Sequence, residues 1–111
     1  MPHCIIEHSD DLDANQLNQL VFESARTSGL FSKDGKDIKV RSIAYSHYQV
    51  GSEKTSFVHV VMKILSGRTL LHKQTLSADV MGAIMALEDF SGSVTVEVVD
   101  MEKDSYSKIV L

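Results

Sequence analysis

Apolar and polar positions alternate along this chain with two different periods, and each change of period predicts an element. Cys4, Ile5 and Ile6 form a short apolar run close to the N-terminus, which predicts a strand over residues 3–8 ended by Ser9-Asp10-Asp11. Leu17, Leu20, Val21, Ser24 and Ala25 then fall at helical spacing. They predict a helix over 14–28, with Asp13 as its cap, Gln16 placed to reach back, and Gly29 as its stop. After a polar loop at 32–37, residues 38–48 alternate as a long strand. Lys39, Arg41, Ile43, Tyr45 and His47 share one of its faces, and Ile38, Val40, Ser42, Ala44 and Ser46 the other. A turn at 50–54 leads to residues 57–65, so continuously apolar that burial on both faces is expected. Ser66-Gly67-Arg68-Thr69 launches a second helix, whose core stripe is Leu76, Val80, Ala83, Ile84 and Leu87 and which runs to near Phe90. Val94, Val96 and Val98 alternate with Thr95, Glu97 and Val99 in a fourth strand.

Strand, helix and strand thus occur twice, which predicts an α+β, two-layer fold: a four-stranded sheet backed by two helices. A crossover through a helix favours parallel pairing and a right-handed connection. The whole of 1–111 reads as one domain, with a first repeat at about 2–49, a second at about 56–101 and a tail at 102–111. Two helices cover only one face of a sheet. The other is expected to pack against copies of the chain, as a dimer or a trimer. Ile109-Val110-Leu111 ends the charged tail with an apolar segment, which suits docking and fraying equally.

The net charge of −4, a pI near 5.6 and eleven scattered Lys and Arg argue against a nucleic-acid surface. One cysteine cannot form an internal disulfide, and no apolar stretch resembles a signal segment or a membrane span. The expectation is a soluble, cytoplasmic protein with no membrane partner.

The chemistry begins at Pro2. An internal proline nitrogen is an amide, but after removal of Met1 it would be a free secondary amine, and α-amino groups titrate near ~7.7–8.0. Held at the start of a strand, it is a candidate general base. Cys4 and His8 share a strand face while His3, His47, His59 and His72 are dispersed, a pattern without metal-ligand spacing. His59 reads as a hydrogen-bonded core histidine, Glu7 as a paired core carboxylate or a group that orients the site, and Met81, Met85 and Met101 as core fillers.

Pro2-His3-Cys4-Ile5-Ile6-Glu7, Gly29-Leu30-Phe31, and Phe57-Val58-His59-Val60-Val61-Met62-Lys63-Ile64 followed by Ser66-Gly67-Arg68 resemble the 5-carboxymethyl-2-hydroxymuconate delta-isomerase branch of the tautomerase superfamily. The likeness extends to about residue 80. It implies a homotrimer of β-α-β repeats with no cofactor, acting in the breakdown of aromatic compounds. The implied acid–base group is the N-terminal proline, with arginines holding a small unsaturated carboxylic acid. Pro2 and Arg68 match family positions directly. The family's strand arginine falls on Lys39, and a second on Arg41. Both share one face, so either could reach the same pocket, though lysine would lose the two-pronged grip of arginine on a carboxylate. Decarboxylation or dehalogenation at the same site, or a trimeric binding or scaffold role without turnover, are the alternatives.

Overall fold

The computed structural model describes all 111 residues. Their order is β1 (His3–Ser9), α1 (Ala14–Thr27), β2 (Lys39–Tyr45), β3 (Ser56–Leu65), α2 (Leu70–Met85) and β4 (Gly92–Met101), with a single 3-10 turn at Lys103–Ser105. The strands lie in the order β2-β1-β3-β4. Within each strand-helix-strand unit the two strands are parallel, as a helical crossover requires, and the units join through the antiparallel pair β1 and β3.

Local chemistry sets most boundaries. The Asp13 carboxylate accepts the free amides of Asn15 (3.0 Å) and Gln16 (3.2 Å), so α1 starts where expected. It stops one residue earlier than expected, at Thr27, where the Ser28 hydroxyl donates to the Ala25 carbonyl and Gly29 turns the chain at φ +78°. β2 is shorter than its alternating pattern, because an edge strand can pair only as far as its neighbour, and β1 ends at Ser9 opposite Tyr45. His47 therefore lies outside the strand. Likewise α2 ends at Met85 instead of near Phe90: the chain tightens through Ala86 and Leu87 and reverses at Asp89, where φ is +61°.

One face of the sheet meets the helices. Cys4 and Ile6 from β1 and Val58, Val60, Met62 and Ile64 from β3 pack there against Leu17, Val21 and Ala25 of α1 and Leu76, Val80 and Ile84 of α2. The expected burial of β3 on both faces does not occur within one chain. Phe57, His59, Val61 and Leu65 point to the uncovered face and are half-buried, while Lys63 is exposed. His59 lies on that open face, not in the core, bonded through Nδ1 to the Thr95 hydroxyl (2.6 Å) and through Nε2 to Glu97 (2.8 Å). Glu7 is there too, accepting from the Tyr45 phenol. Met85, expected in the core, is 66% exposed on the outer side of α2. No helix is long and apolar enough to cross a membrane.

The register decides what meets at each end of the sheet. β1 begins where the antiparallel β3 finishes, with His3 opposite Lys63, and where the parallel β2 begins, with His3 opposite Lys39. β4 finishes at the same end, since Met101 pairs with Leu65. The N-terminus, the start of β2, the Gly67-Arg68 connection and the C-terminal tail are thereby gathered into one region by topology alone.

Candidate active site

Pro2 caps the start of β1. Its side chain is fully buried, and its carbonyl accepts the Lys39 amide at 3.2 Å, extending the β1–β2 ladder by one bond. In this chain the terminal amine belongs to Met1. It lies 3.9 Å from the Asp37 carboxylate, and the Lys39 ammonium lies 4.0 Å from the Met1 sulfur. Arg68 follows β3 through Gly67, a tight connection with φ +115°. Its guanidinium donates one hydrogen bond to the Leu30 carbonyl (2.7 Å) and lies 5.8 Å from the centre of the Phe31 ring. Only one of its five N–H donors is thus engaged, and the stacked fork is held in a fixed orientation with donors to spare.

The terminal amine is held below its ordinary value of 8.0. Burial is the main cause, since it penalises the charged form. Asp37 opposes the shift, while the positive charges of Arg68, Lys108 and Lys39 reinforce it. An amine in this position is deprotonated more readily than one in water, and an anion arriving there meets a surplus of positive charge.

Among the residues singled out from sequence, Pro2, Arg68 and Lys39 are brought together. Arg41 is not. It sits two pairs further along β2, opposite Ile5, and its guanidinium donates to Nδ1 of His3 at 3.2 Å. That bond makes Nδ1 the acceptor, so Nε2 carries the proton and donates to the Tyr106 hydroxyl at 2.9 Å. Burial first, and then the nearby Arg41 and Lys39, lower the pKa of His3, consistent with a neutral ring. Tyr106 and Lys108 of the tail, and Asp37 of the α1–β2 loop, were not singled out from sequence. The apolar end of the tail was the one signal that it docks, and it does not say where.

The opposite end of the sheet holds a hollow of about 310 Å³ edged by Asp11, Asp13, Glu88 and Asp89. Two of these acids have structural work: Asp13 caps α1, and Asp11 accepts from the Ser56 hydroxyl. A rim of carboxylates repels an anionic ligand. Cys4 faces the helices, where burial pushes its thiol up to about 12. It is therefore a packing residue, not a nucleophile. His8, buried on the same face, donates from Nδ1 to the Ser9 carbonyl at 2.7 Å. No three His, Cys, Asp or Glu side chains gather as a metal centre would need.

This arrangement of two β-α-β units around an antiparallel seam is the tautomerase fold. A 5-carboxymethyl-2-hydroxymuconate delta-isomerase superposes with a TM-score of 0.77 at 16% identity, over 99% of this chain and 89% of that one. A 5-carboxymethyl-2-hydroxymuconate isomerase from Deinococcus radiodurans R1 gives 0.71 at 22% identity, over 97% and 88% of the two chains. A fused 4-OT symmetric trimer gives 0.80 at 16% identity, over 96% and 90%. No curated protein matches the chain by sequence. The sequence pattern of the 5-carboxymethyl-2-hydroxymuconate isomerase family matches residues 2–98, and the chain belongs to that family.

Proposed function

We propose that this chain is a cofactor-independent isomerase that moves a proton within an unsaturated 2-hydroxy or 2-oxo carboxylic acid resembling 5-carboxymethyl-2-hydroxymuconate. It works as a homotrimer, with the amine of Pro2 as the acid–base group once Met1 has been removed. The observation that carries this reading is the convergence of Arg68 and Lys39 on a terminal amine whose pKa burial and positive charge lower. Family membership and the trimeric 4-OT relatives of the same fold support it.

Each group has a physical task. The free amine takes the proton of the 2-hydroxy group of the dienol, and the electron pair left behind spreads through the conjugated system. Arg68 and Lys39 hold the carboxylate and the oxygen on which negative charge develops, lowering the barrier by charge already in place. The protonated amine then returns its proton to a distant carbon, leaving a 2-oxo acid and the free base. No atom is gained or lost, so no co-reactant is needed.

The test follows 2-hydroxymuconate by its ultraviolet absorbance with protein whose intact mass shows that Met1 is gone. Pro2→Ala should lose about 10²-fold or more in kcat with an unchanged circular dichroism spectrum. Protein retaining Met1 should be equally impaired. A Pro2→Ala rate within a few-fold of the wild type would overturn the role of Pro2.

A further inference from the structure

Strand pairing sorts the open face of the sheet into rows, with one residue from each strand in the order β2, β1, β3, β4. Lys39, His3, Lys63 and Val99 form the row at the N-terminal end. Arg41, Ile5, Val61 and Glu97 form the next, and Ile43, Glu7, His59 and Thr95 the one after. The first row has no carboxylate, and the third has no lysine or arginine. Only the middle row of the three holds a basic and an acidic side chain, and it holds them on the two outermost strands with two apolar residues between.

Three strand spacings, about 14 Å, separate the backbones of Arg41 and Glu97, and the two side chains do not meet within the chain. The Arg41 guanidinium uses one of its five N–H donors on His3, and Glu97 accepts from His59 through Oε2, which leaves Oε1 without a partner. Both side chains are exposed, Glu97 to 53%. The edges that carry them are open as well, since no strand pairs with the outer side of β2 or of β4. Beyond Lys39, where the tail lies alongside β2, Ile43 is also exposed. Open edges that carry opposite charges at the two ends of one row suit a head-to-tail contact between copies.

The geometry points to an ion pair between Arg41 of one chain and Glu97 of the neighbouring copy, repeated three times around a closed ring. In a three-fold ring every contact joins two different patches, so the β2 edge of one copy meets the β4 edge of the next. Ile5 and Val61 supply the apolar part of the contact. The charges set its direction, because two β2 edges or two β4 edges brought together would place like charges side by side. Arg41, which stands apart from the terminal amine, thus has its task between subunits. The pairing rests on the homotrimer of the proposed function and not on its reaction.

Sedimentation velocity of the full chain over a dilution series tests it, with circular dichroism to confirm that each variant is folded. Arg41→Glu and Glu97→Arg should each raise the concentration at which the trimer dissociates about tenfold or more, because each sets like charges against one another at the contact. Glu97→Gln keeps the shape of the side chain and should weaken the trimer severalfold, so the test survives a charge reversal that unfolds the chain. The double variant, Arg41→Glu with Glu97→Arg, reverses every pair in the ring and should return the dissociation to within a few-fold of the wild type. Damage inside one chain, to the bonds with His3 and His59, adds up in the double variant instead of cancelling. A trimer unmoved by all three single substitutions, or a double variant no more stable than its parents, would overturn the pairing and leave the homotrimer standing. A wild type that stays a single chain at every concentration would overturn the homotrimer and the pairing together.

Discussion

A single charge near the terminal amine should be visible as a shift in pH dependence. The amine is useful as a base only when unprotonated, so kcat/KM should rise with pH through its pKa and level off above it. If the Pro2 amine, one residue further in, keeps the surroundings of the Met1 amine once Met1 is removed, the same influences act on it: burial first, lowering its pKa, with Arg68, Lys108 and Lys39 adding to the shift and Asp37 opposing it. The acidic limb should therefore lie below the ordinary α-amino value. Arg68→Ala removes a charge that lowers the pKa, so the limb should move to higher pH. Asp37→Asn removes the charge that raises it, so the limb should move to lower pH. A pH–rate profile for each variant checks both directions, and a limb that moves with neither would mean that another group is the base. Arg41→Ala should leave its position nearly unchanged, because Arg41 is committed to His3 and does not figure among the charges acting on the amine.

At the level of elements, the pairing of β3 with β4 inside the second repeat depends on backbone contact at Gly92, where β4 begins opposite Ser56. A Cβ there would lie 2.1 Å from the Ser56 carbonyl oxygen and 2.8 Å from its carbon. Backbone atoms cannot give way as a flexible side chain can, so Gly92→Ala should cost about 1–3 kcal/mol of stability, read as a lower urea midpoint; an unchanged midpoint would mean that the start of β4 is not pinned. The sequence carried some elements more fully than others for similar reasons of partnership. α1 was legible because cap, apolar stripe and stop agree on one stretch. β2 was overextended because alternation reports a residue's own side chain and not whether a neighbouring strand is still there to pair. The second covered face of β3 is not supplied within one chain, because a run of apolar residues does not say whether its second layer comes from the same chain or from a copy. Pro2 could be singled out because it follows Met1 and opens a strand, and Arg68 and Lys39 because they fall on arginine positions of the family the sequence resembles. The separation of Lys39 from Arg41 depends on His3, and the arrival of Lys108 depends on a contact between His3 and Tyr106, 103 residues apart. No local period encodes such a contact.

The whole molecule leaves one layer of its sheet uncovered, and that face is not built for water alone. Ile5, Val61 and Phe57 lie along it among the pairs His59–Glu97 and Glu7–Tyr45, with Ile43 52% exposed at the β2 edge. Only 17 of the 111 residues are buried, a small core for a chain of this length, so association would supply what two helices do not. In the proposed homotrimer this face is the one that meets its copies. A carboxylate at its centre would then have to be buried beside Glu97, which lies opposite Val61 in the register. An unpaired buried charge next to a like charge is costly enough to break an interface. Light scattering of the wild type should give three times the 12.3 kDa chain mass, and Val61→Asp should shift the mass towards the single chain. Its helix-facing core is untouched, because Val61 points away from Val60 and Met62, so the helical circular dichroism signal should survive. A trimer that tolerates Val61→Asp would place the interface elsewhere, with the outer side of α2, where Leu70, Leu71 and Met85 are exposed, as the next surface to substitute.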